Sequence, residues 1–160
     1  MKAPKASRPK MPAGYQIRRG AKGLVLWRAV NRSLTEAHNY WVGTCRPDGR
    51  PHAMPVWGVW IESKFFFATD RKSRKSRNLE RNPAVVIHLE SGDNVVILEG
   101  VASHAPAGRL AAMDDAYLAK YGMRVCDQPG DHVYYEISPT VVFAWQEKSF
   151  PSTATRWKLG

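Results

Sequence analysis

The sequence predicts three helices, two of them from apolar residues at helical spacing. The first lies over 25–38 and has its apolar positions at Leu26, Val30, Leu34 and Ala37. The second lies over 106–122, where a proline suits the first turn and a glycine can close the helix. A shorter helix is predicted over 73–81, with Ser73 as its N-cap.

The remaining apolar positions follow the pattern of strands. Strands are predicted over 40–46, 52–62, 63–70, 84–90, 95–104 and 132–148. The turn sequence PDGRP joins the first pair into a hairpin, and SGDN joins the fourth and fifth strands into another. Short antiparallel hairpins with a few helices predict a mainly β chain with α+β elements, arranged as a small antiparallel β-barrel with flanking helices.

A proline, Pro55, falls inside the predicted strand 52–62. Because proline cannot donate a hydrogen bond to a β-ladder, this strand requires an edge, a bulge or an opening there. An opening in a barrel wall is also a place where a ligand can bind.

Length and composition narrow the class of protein. At 160 residues the chain is expected to form one domain around one core. It has no uninterrupted apolar stretch long enough to span a membrane, and its basic N-terminus lacks the apolar core of a secretory signal. Cys45 and Cys126 form no metal-binding spacing, which favours reduced thiols and a cytoplasmic location.

The net charge of +10 suggests a nucleic-acid partner, but its distribution argues against one. Residues 1–35 hold nine Lys/Arg and no acid, whereas 36–160 hold fifteen Lys/Arg against fourteen acids. The interpretation is a basic, flexible, solvated arm over 1–22, followed by one domain over 23–160. Nucleic-acid binding by the arm remains a disfavoured alternative.

The segment DRKSRKSRNLERNP at 70–83 concentrates the remaining positive charge around one apolar residue, Leu79. Its cations are Arg71, Lys72, Arg74, Lys75, Arg77 and Arg81. Several of them fall near the N-terminus of the predicted short helix, where the helix dipole is already positive. A bound phosphate would turn this cost into a gain. A cationic face that points into solvent is the alternative that spacing alone leaves open.

The same region resembles the flavin-binding split β-barrel family that includes the pyridoxamine-phosphate oxidases. The matching elements are Phe67-Ala68-Thr69, Ser73-Arg74-Lys75, Leu79 and Asn82-Pro83. The upstream DGRPHAMPVW and the downstream VVILEGVA are similar to the neighbouring strands of that family. The resemblance therefore implies an antiparallel split β-barrel with flanking helices.

The resemblance also implies the cofactor site and its residues. The phosphate would be held by Thr69, Ser73, Arg74 and Lys75, with Arg77 and Asn78 close behind. The ring system would be bordered by Met54, Pro55, Val56 and Trp57, next to Ala68. Family members are usually homodimers with sites between subunits, so Trp145, Arg156 or Trp157 would reach the partner's ring. Stacking on the ring would fall to Trp57 or Trp60.

Departures from the family pattern bear on substrate and cofactor. Met54 stands where pyridoxamine-phosphate oxidases carry arginine, Val95 stands where they carry glutamine, and their C-terminal substrate-binding segment is not matched, which disfavours a vitamin B6 substrate. MPVWGVW, RNLERNP and TRW are more similar to the branch that binds FMN or the deazaflavin F420. The F420 tail carries more negative charge than FMN, which favours F420 and leaves FMN as the alternative.

The function implied is an oxidoreductase that binds F420 at a dimer interface and transfers hydride to or from a small organic substrate. An FMN-dependent oxidoreductase and a non-catalytic flavin- or deazaflavin-binding protein are the alternatives. The sequence offers no nucleophile elbow, P-loop or metal-ligand spacing, so no catalytic acid or base and no metal ligand is assigned. Asp114 and Asp115 are predicted to be solvated residues of a helix.

Overall fold

A computed structural model describes residues 3–159 and confirms that antiparallel strands dominate the chain. The strands are β1 (Ala6–Ser7), β2 (Tyr40–Cys45), β3 (Pro51–Val56), β4 (Val59–Ile61), β5 (Lys64–Asp70), β6 (Ala84–His88), β7 (Asn94–His104), β8 (His132–Gln146) and β9 (Thr155–Lys158). The helices are α1 (Trp27–Glu36), α2 (Arg74–Leu79), α3 (Ala107–Tyr121) and α4 (Phe150–Thr153), with short 3-10 turns at Ala13–Tyr15 and Glu147–Ser149.

The long strand β8 organises the sheet. One of its edges pairs with β7 along almost its whole length. Its other edge is shared, because β5 pairs with the first half of β8 and β9 pairs with the second half. The order β1-β9-β8-β7-β6-β2-β3 continues from this branch, and among the described strands β4 pairs only with β5. The result is the predicted antiparallel split β-barrel with flanking helices, and the two predicted hairpins, β2–β3 and β6–β7, are both present.

Alternating residues of the strands fill the barrel, as a period of two requires. The main core is closed by Val30 and Leu34 of α1, which lie on one helical face. Fully buried strand residues around them include Tyr40, Val42, Phe65, Phe67, Ile87, Leu98, Ile137 and Val142. A second cluster lies on the opposite side of β5, where α3 packs against the barrel. It contains Val59, Phe66, Met113, Tyr117 and Val125.

The predicted single strand over 52–62 is wrong in one respect, because it is divided into β3 and β4 at Trp57–Gly58. Gly58 runs so close to β5 that a Cβ built on it would lie 2.3 Å from the Phe65 ring. The expectation for Pro55 is confirmed, since β3 pairs with β2 alone and is an edge strand of the described sheet.

The N-terminal arm predicted to be solvated is attached to the barrel where it is described, and that expectation needs correction. Its strand β1 pairs with β9, which in turn pairs with the second half of β8. The guanidinium of Arg8 donates to four backbone carbonyl oxygens, those of Gly20, Lys22, Ser152 and Ala154. Gly20 and Lys22 lie in a turn, and Ser152 and Ala154 lie at the C-terminal end of α4, so the arginine bonds carbonyls that have no ladder partner. Met1 and Lys2 lie outside the described residues.

Within residues 3–159, no helix has the length and apolar character needed to cross a membrane.

Candidate functional site

A pocket of about 320 Å³ lies between the end of β3 and the end of β5. Its lining residues are Pro55, Val56, Trp57, Ala68, Thr69, Asp70, Lys75, Tyr117, Met123, Val125, Gln128 and His132. Six of the eleven residues predicted for the cofactor line this one cavity. They come from the MPVW strand, from the end of the FFFATD strand and from the basic run, so the structure brings together three segments that the sequence lists separately.

The other five predicted residues do not line the pocket. Met54 is 44% exposed on the β3 edge, and Arg74 and Arg77 are exposed on α2. Ser73 is half-buried, and Thr69 Oγ1 donates to its hydroxyl at 3.2 Å, which connects it to the pocket wall. Asn78 is buried at 1% exposure, so its side chain cannot contact a ligand in this arrangement.

Asn78 fixes α2 to the barrel. Its Nδ2 donates to Thr44 Oγ1 on β2 at 2.9 Å. The Ser76 hydroxyl, fully buried, lies 2.9 Å from the Tyr135 hydroxyl on β8. Ser73 is the N-cap, as predicted, and accepts from the Ser76 N–H at 3.2 Å. These bonds attach the short helix to two strands, and they define which of its side chains face the pocket.

The cations at this end of the pocket lack carboxylate partners. Arg74, Lys75 and Arg77 form no salt bridge with any residue in 3–159. Burial lowers the pKa of Lys75, since the charged ammonium is partly removed from water. Burial also lowers the pKa of nearby His52, and the charges of Arg46, Lys75 and Arg74 lower it further.

The acids near the basic run are already engaged. The carboxylate of Asp70, which lines the pocket, accepts from the Lys72 N–H at 2.7 Å. Arg71 is paired with Asp131 at 3.1 Å, and among residues 3–159 it is the one cation in the first half of the run with an acidic partner. The backbone bond leaves Asp70 its charge, but Lys72, Arg74 and Lys75 outnumber it and have no acidic partner within 3–159, so the pocket end near Lys75 can accept an anion.

Sequence reasoning missed the far wall of the pocket. Tyr117 falls within the predicted helix 106–122 but is not among the predicted site residues, and the segment that carries Met123, Val125 and Gln128 has no periodic pattern. Asp114 was expected to be solvated, but it is buried, and its Oδ1 accepts from the Val125 N–H at 2.9 Å. This buried carboxylate holds the segment against the pocket. The sequence contains a signal for the burial of Asp114, because this polar residue lies on the helical face that also carries Met113 and Tyr117.

The tryptophans divide between core and site. Trp57 is 43% exposed, borders the pocket and stacks on Tyr121 with ring centroids 4.7 Å apart. Trp60 does not line the pocket, and its indole N–H donates to Asn31. Trp157 is 1% exposed and packs against Trp27 within its own chain. The expectation that Trp157 reaches a partner's ring is therefore wrong.

Over residues 3–159, no group of three or more His, Cys, Asp or Glu side chains is arranged to hold a metal ion.

Comparison with known proteins finds relatives of the chain in sequence and in structure. The sequence profile of the family described as Pyridoxamine 5'-phosphate oxidase matches residues 26–146. A pyridoxine/pyridoxamine 5'-phosphate oxidase of Bacteroides fragilis is 30% identical over 108 residues, which are 64% of this chain and 46% of that protein. The chain thus spans about half the length of the curated relatives it matches.

Solved structures share the fold. The conserved hypothetical protein Rv2991 from Mycobacterium tuberculosis superposes with a TM-score of 0.69 at 23% identity, over 81% of this chain and 89% of that one. A structure described as F420 Reductase superposes with a TM-score of 0.56 at 26% identity, over 69% of this chain and 94% of that one.

Proposed function

Because the chain belongs to the pyridoxamine 5'-phosphate oxidase family, an oxidoreductase family, we propose that it is an F420-dependent oxidoreductase whose cofactor occupies the pocket between β3 and β5. One observation carries the proposal. The strand ends at Pro55–Trp57 and Ala68–Thr69 meet a half-buried lysine that has no carboxylate partner in 3–159.

The residues present fit a ligand with an anionic tail and a flat ring. The hydroxyls of Thr69 and Ser73 and the ammonium of Lys75 would hold a phosphate, with Arg74 at the pocket's outer rim. Pro55, Val56 and Trp57 offer apolar surface and backbone groups to a ring system. When bound, a flavin or deazaflavin supplies the hydride-transfer chemistry, and the protein contributes binding, orientation and exclusion of water.

The surplus of positive charge favours F420 over FMN. Beyond Lys75, the cations Lys72, Arg74 and Arg77 are exposed at the same end and form no salt bridge within the described chain. F420 has a longer and more negative tail than FMN, so it can use cations outside the pocket. Arg71 contributes less than the sequence suggested, since Asp131 neutralises it.

The substrate is proposed to be a small organic molecule other than a B6 vitamer. Met54 supplies no positive charge at the β3 edge, and Val95 lies in a different cavity, between α1 and the β7–β8 pair. The pocket's far wall offers Met123 and Val125, which are apolar, and a single amide, Gln128. Such a wall suits an uncharged, largely apolar substrate.

A titration of the purified protein with F420 and with FMN, followed by the fluorescence of each cofactor, tests the proposal. Saturable binding of F420 with a lower Kd than FMN is the expected result. Tighter binding of FMN would reassign the cofactor and keep the oxidoreductase class. Binding of neither would refute the proposal. Hydride-transfer assays with the bound, reduced cofactor then separate an enzyme from a non-catalytic carrier.

A second copy of the chain is proposed to complete the site. The edge strand β3 exposes Met54, and the neighbouring Trp57 is also exposed. Light scattering of the purified protein should give twice the mass of one chain. A charged substitution, Met54→Glu, should lower that mass and weaken cofactor binding together, whereas a monomeric wild type would contradict the proposed dimer.

A further inference from the structure

The pairing between β4 and β5 ends at Val59 with Phe66, although the same register could continue along both strands. Glu62 and Ser63, with φ of 49° and 63°, form the two-residue turn between the strands, as the positive φ values of a type I′ turn require. The paired residues beyond the turn are Ile61 with Lys64, Trp60 with Phe65 and Val59 with Phe66. If the same register continued, Gly58 would face Phe67 and Trp57 would face Ala68.

The missing pair would be one that exchanges hydrogen bonds. In an antiparallel ladder, opposed residues alternate between hydrogen-bonded and non-hydrogen-bonded pairs. A two-residue turn is closed by a hydrogen-bonded pair, here Ile61 with Lys64, so Val59 with Phe66 and then Trp57 with Ala68 are of the same kind. In a continued ladder, the Ala68 N–H would therefore donate directly to the Trp57 carbonyl oxygen.

Tyr117 occupies the place of that bond. Its hydroxyl donates to the Trp57 carbonyl oxygen at 2.8 Å. The same hydroxyl accepts from the Ala68 N–H at 3.3 Å. One side chain of α3 thus takes both the acceptor and the donor that the two strands would otherwise join. Burial raises the pKa of Tyr117, so its hydroxyl stays protonated and able to donate.

The next residue, Gly58, is also bonded to side chains of α3. The Gly58 N–H donates to the Tyr121 hydroxyl at 3.0 Å, and Lys120 Nζ donates to the Gly58 carbonyl oxygen at 3.1 Å. Tyr117, Lys120 and Tyr121 lie on one face of α3, at the spacing of i, i+3 and i+4. The backbone of 57–58 is therefore satisfied by a helix rather than by a strand.

We propose that Tyr117 is a positioning residue that keeps β3 and β5 apart between Trp57 and Ala68, and so creates the pocket in which the cofactor ring lies. The inference rests on the proposed function for its ligand, but the separation of the strands is a property of the protein alone. Both separated residues line the pocket, as does Tyr117 itself. Without the inserted hydroxyl, the ladder can extend by one hydrogen-bonded pair and close this wall.

The test compares Tyr117→Phe with Tyr15→Phe, a control at a tyrosine that is 55% exposed and does not line the pocket. Phenylalanine retains the ring that packs against Val59, Phe66 and Met113, so the variant is expected to fold. A crystal structure of the cofactor-free variant should show the Ala68 N–H donating to the Trp57 carbonyl at an ordinary ladder distance of about 2.9 Å. The affinity of Tyr117→Phe for its cofactor should be at least tenfold lower than that of wild type, and Tyr15→Phe should bind the cofactor as wild type does.

Tyr117→Gln separates positioning from simple loss of a contact. A glutamine side chain has one amide that donates and one carbonyl that accepts, so it should reopen the gap and recover part of the affinity. The proposal is overturned if Tyr117→Phe leaves the Trp57 oxygen and the Ala68 nitrogen as far apart as in wild type. If wild type binds neither F420 nor FMN, the proposed function fails, while the strand separation is still decided by the cofactor-free structures.

Discussion

Replacement of Lys75 by methionine is the sharpest test of the anion site. Lys75 is half-buried, lines the pocket and has no carboxylate partner among residues 3–159, so a bound phosphate would be its first counter-charge. Hydrogen bonds to charged groups contribute about 1.5–3 kcal/mol. At about 1.4 kcal/mol for each factor of ten, Lys75→Met should raise the Kd of the cofactor roughly 10- to 150-fold.

Lys72→Met is the matched control, because it removes the same charge from the same run at an exposed position. Exposed ion pairs contribute about 0–1 kcal/mol, which corresponds to at most about a fivefold change in Kd. The Lys72 effect should also vanish at high salt, whereas the Lys75 effect should persist, because salt screens buried pairs less. Fluorescence titrations of both variants at low and high salt measure this. Equal effects of the two substitutions would refute the assignment of Lys75 to a phosphate site in the pocket, and would indicate only a general electrostatic attraction between the basic run and the cofactor.

Binding of an anion at Lys75 should also take up protons. Burial lowers the pKa of Lys75 in the free protein, and a bound phosphate would raise it again. Affinity should therefore decrease as pH rises through the pKa of the free lysine. Calorimetric titrations in buffers of different ionisation enthalpy detect the uptake, and Lys75→Met should abolish it. A wild-type protein that binds the cofactor with no proton uptake at any pH would contradict this part of the reasoning.

Three further predictions concern the scaffold. Gly58→Ala should lower the free energy of unfolding by at least about 1–3 kcal/mol in denaturant titrations, because its Cβ would lie 2.3 Å from the Phe65 ring, whereas Gly108→Ala, with nothing within 4 Å, should be neutral or stabilising. Burial lowers the pKa of Lys120 from 10.5 to about 8, so above pH 8 the unfolded state binds more protons than the folded state. The free energy of unfolding should therefore rise from pH 8 toward pH 9.5, and Lys120→Met should remove this rise. Arg8→Ala should release the N-terminal segment and speed tryptic cleavage before residue 23, while unchanged cleavage would show that its four carbonyl contacts are dispensable.

Local pattern was sufficient for most of the strands and helices. The alternation in β8 predicts its burial nearly residue by residue, and the positive φ of Gly122 ends α3 where a C-terminal glycine should. Ser73 caps α2 through its own hydroxyl, which is a bond between neighbours in sequence. These features depend on residues a few positions apart, so the sequence contains all the information that they require.

The errors arose where distant segments meet. The break at Trp57–Gly58 depends on the Phe65 ring and on three side chains of α3, which lie about sixty residues later. The attachment of the arm depends on the carbonyl oxygens of residues 152 and 154, which accept from Arg8. Because the arm is rich in charged residues, the sequence does not distinguish Arg8 from a solvated cation. Such contacts leave no periodic trace in either partner.

The basic run contains a local signal for which of its cations are functional. Leu79 is its one sizeable apolar residue and is buried at 4% exposure, so it marks the inward face of α2. Residues three and four positions before it share that face, and these are Ser76, which is fully buried, and Lys75, which lines the pocket. Arg74 and Arg77, at five and two positions before it, point outward. The helical period measured from Leu79 therefore distinguishes Lys75, a half-buried cation that lines the pocket, from exposed cations of the same run.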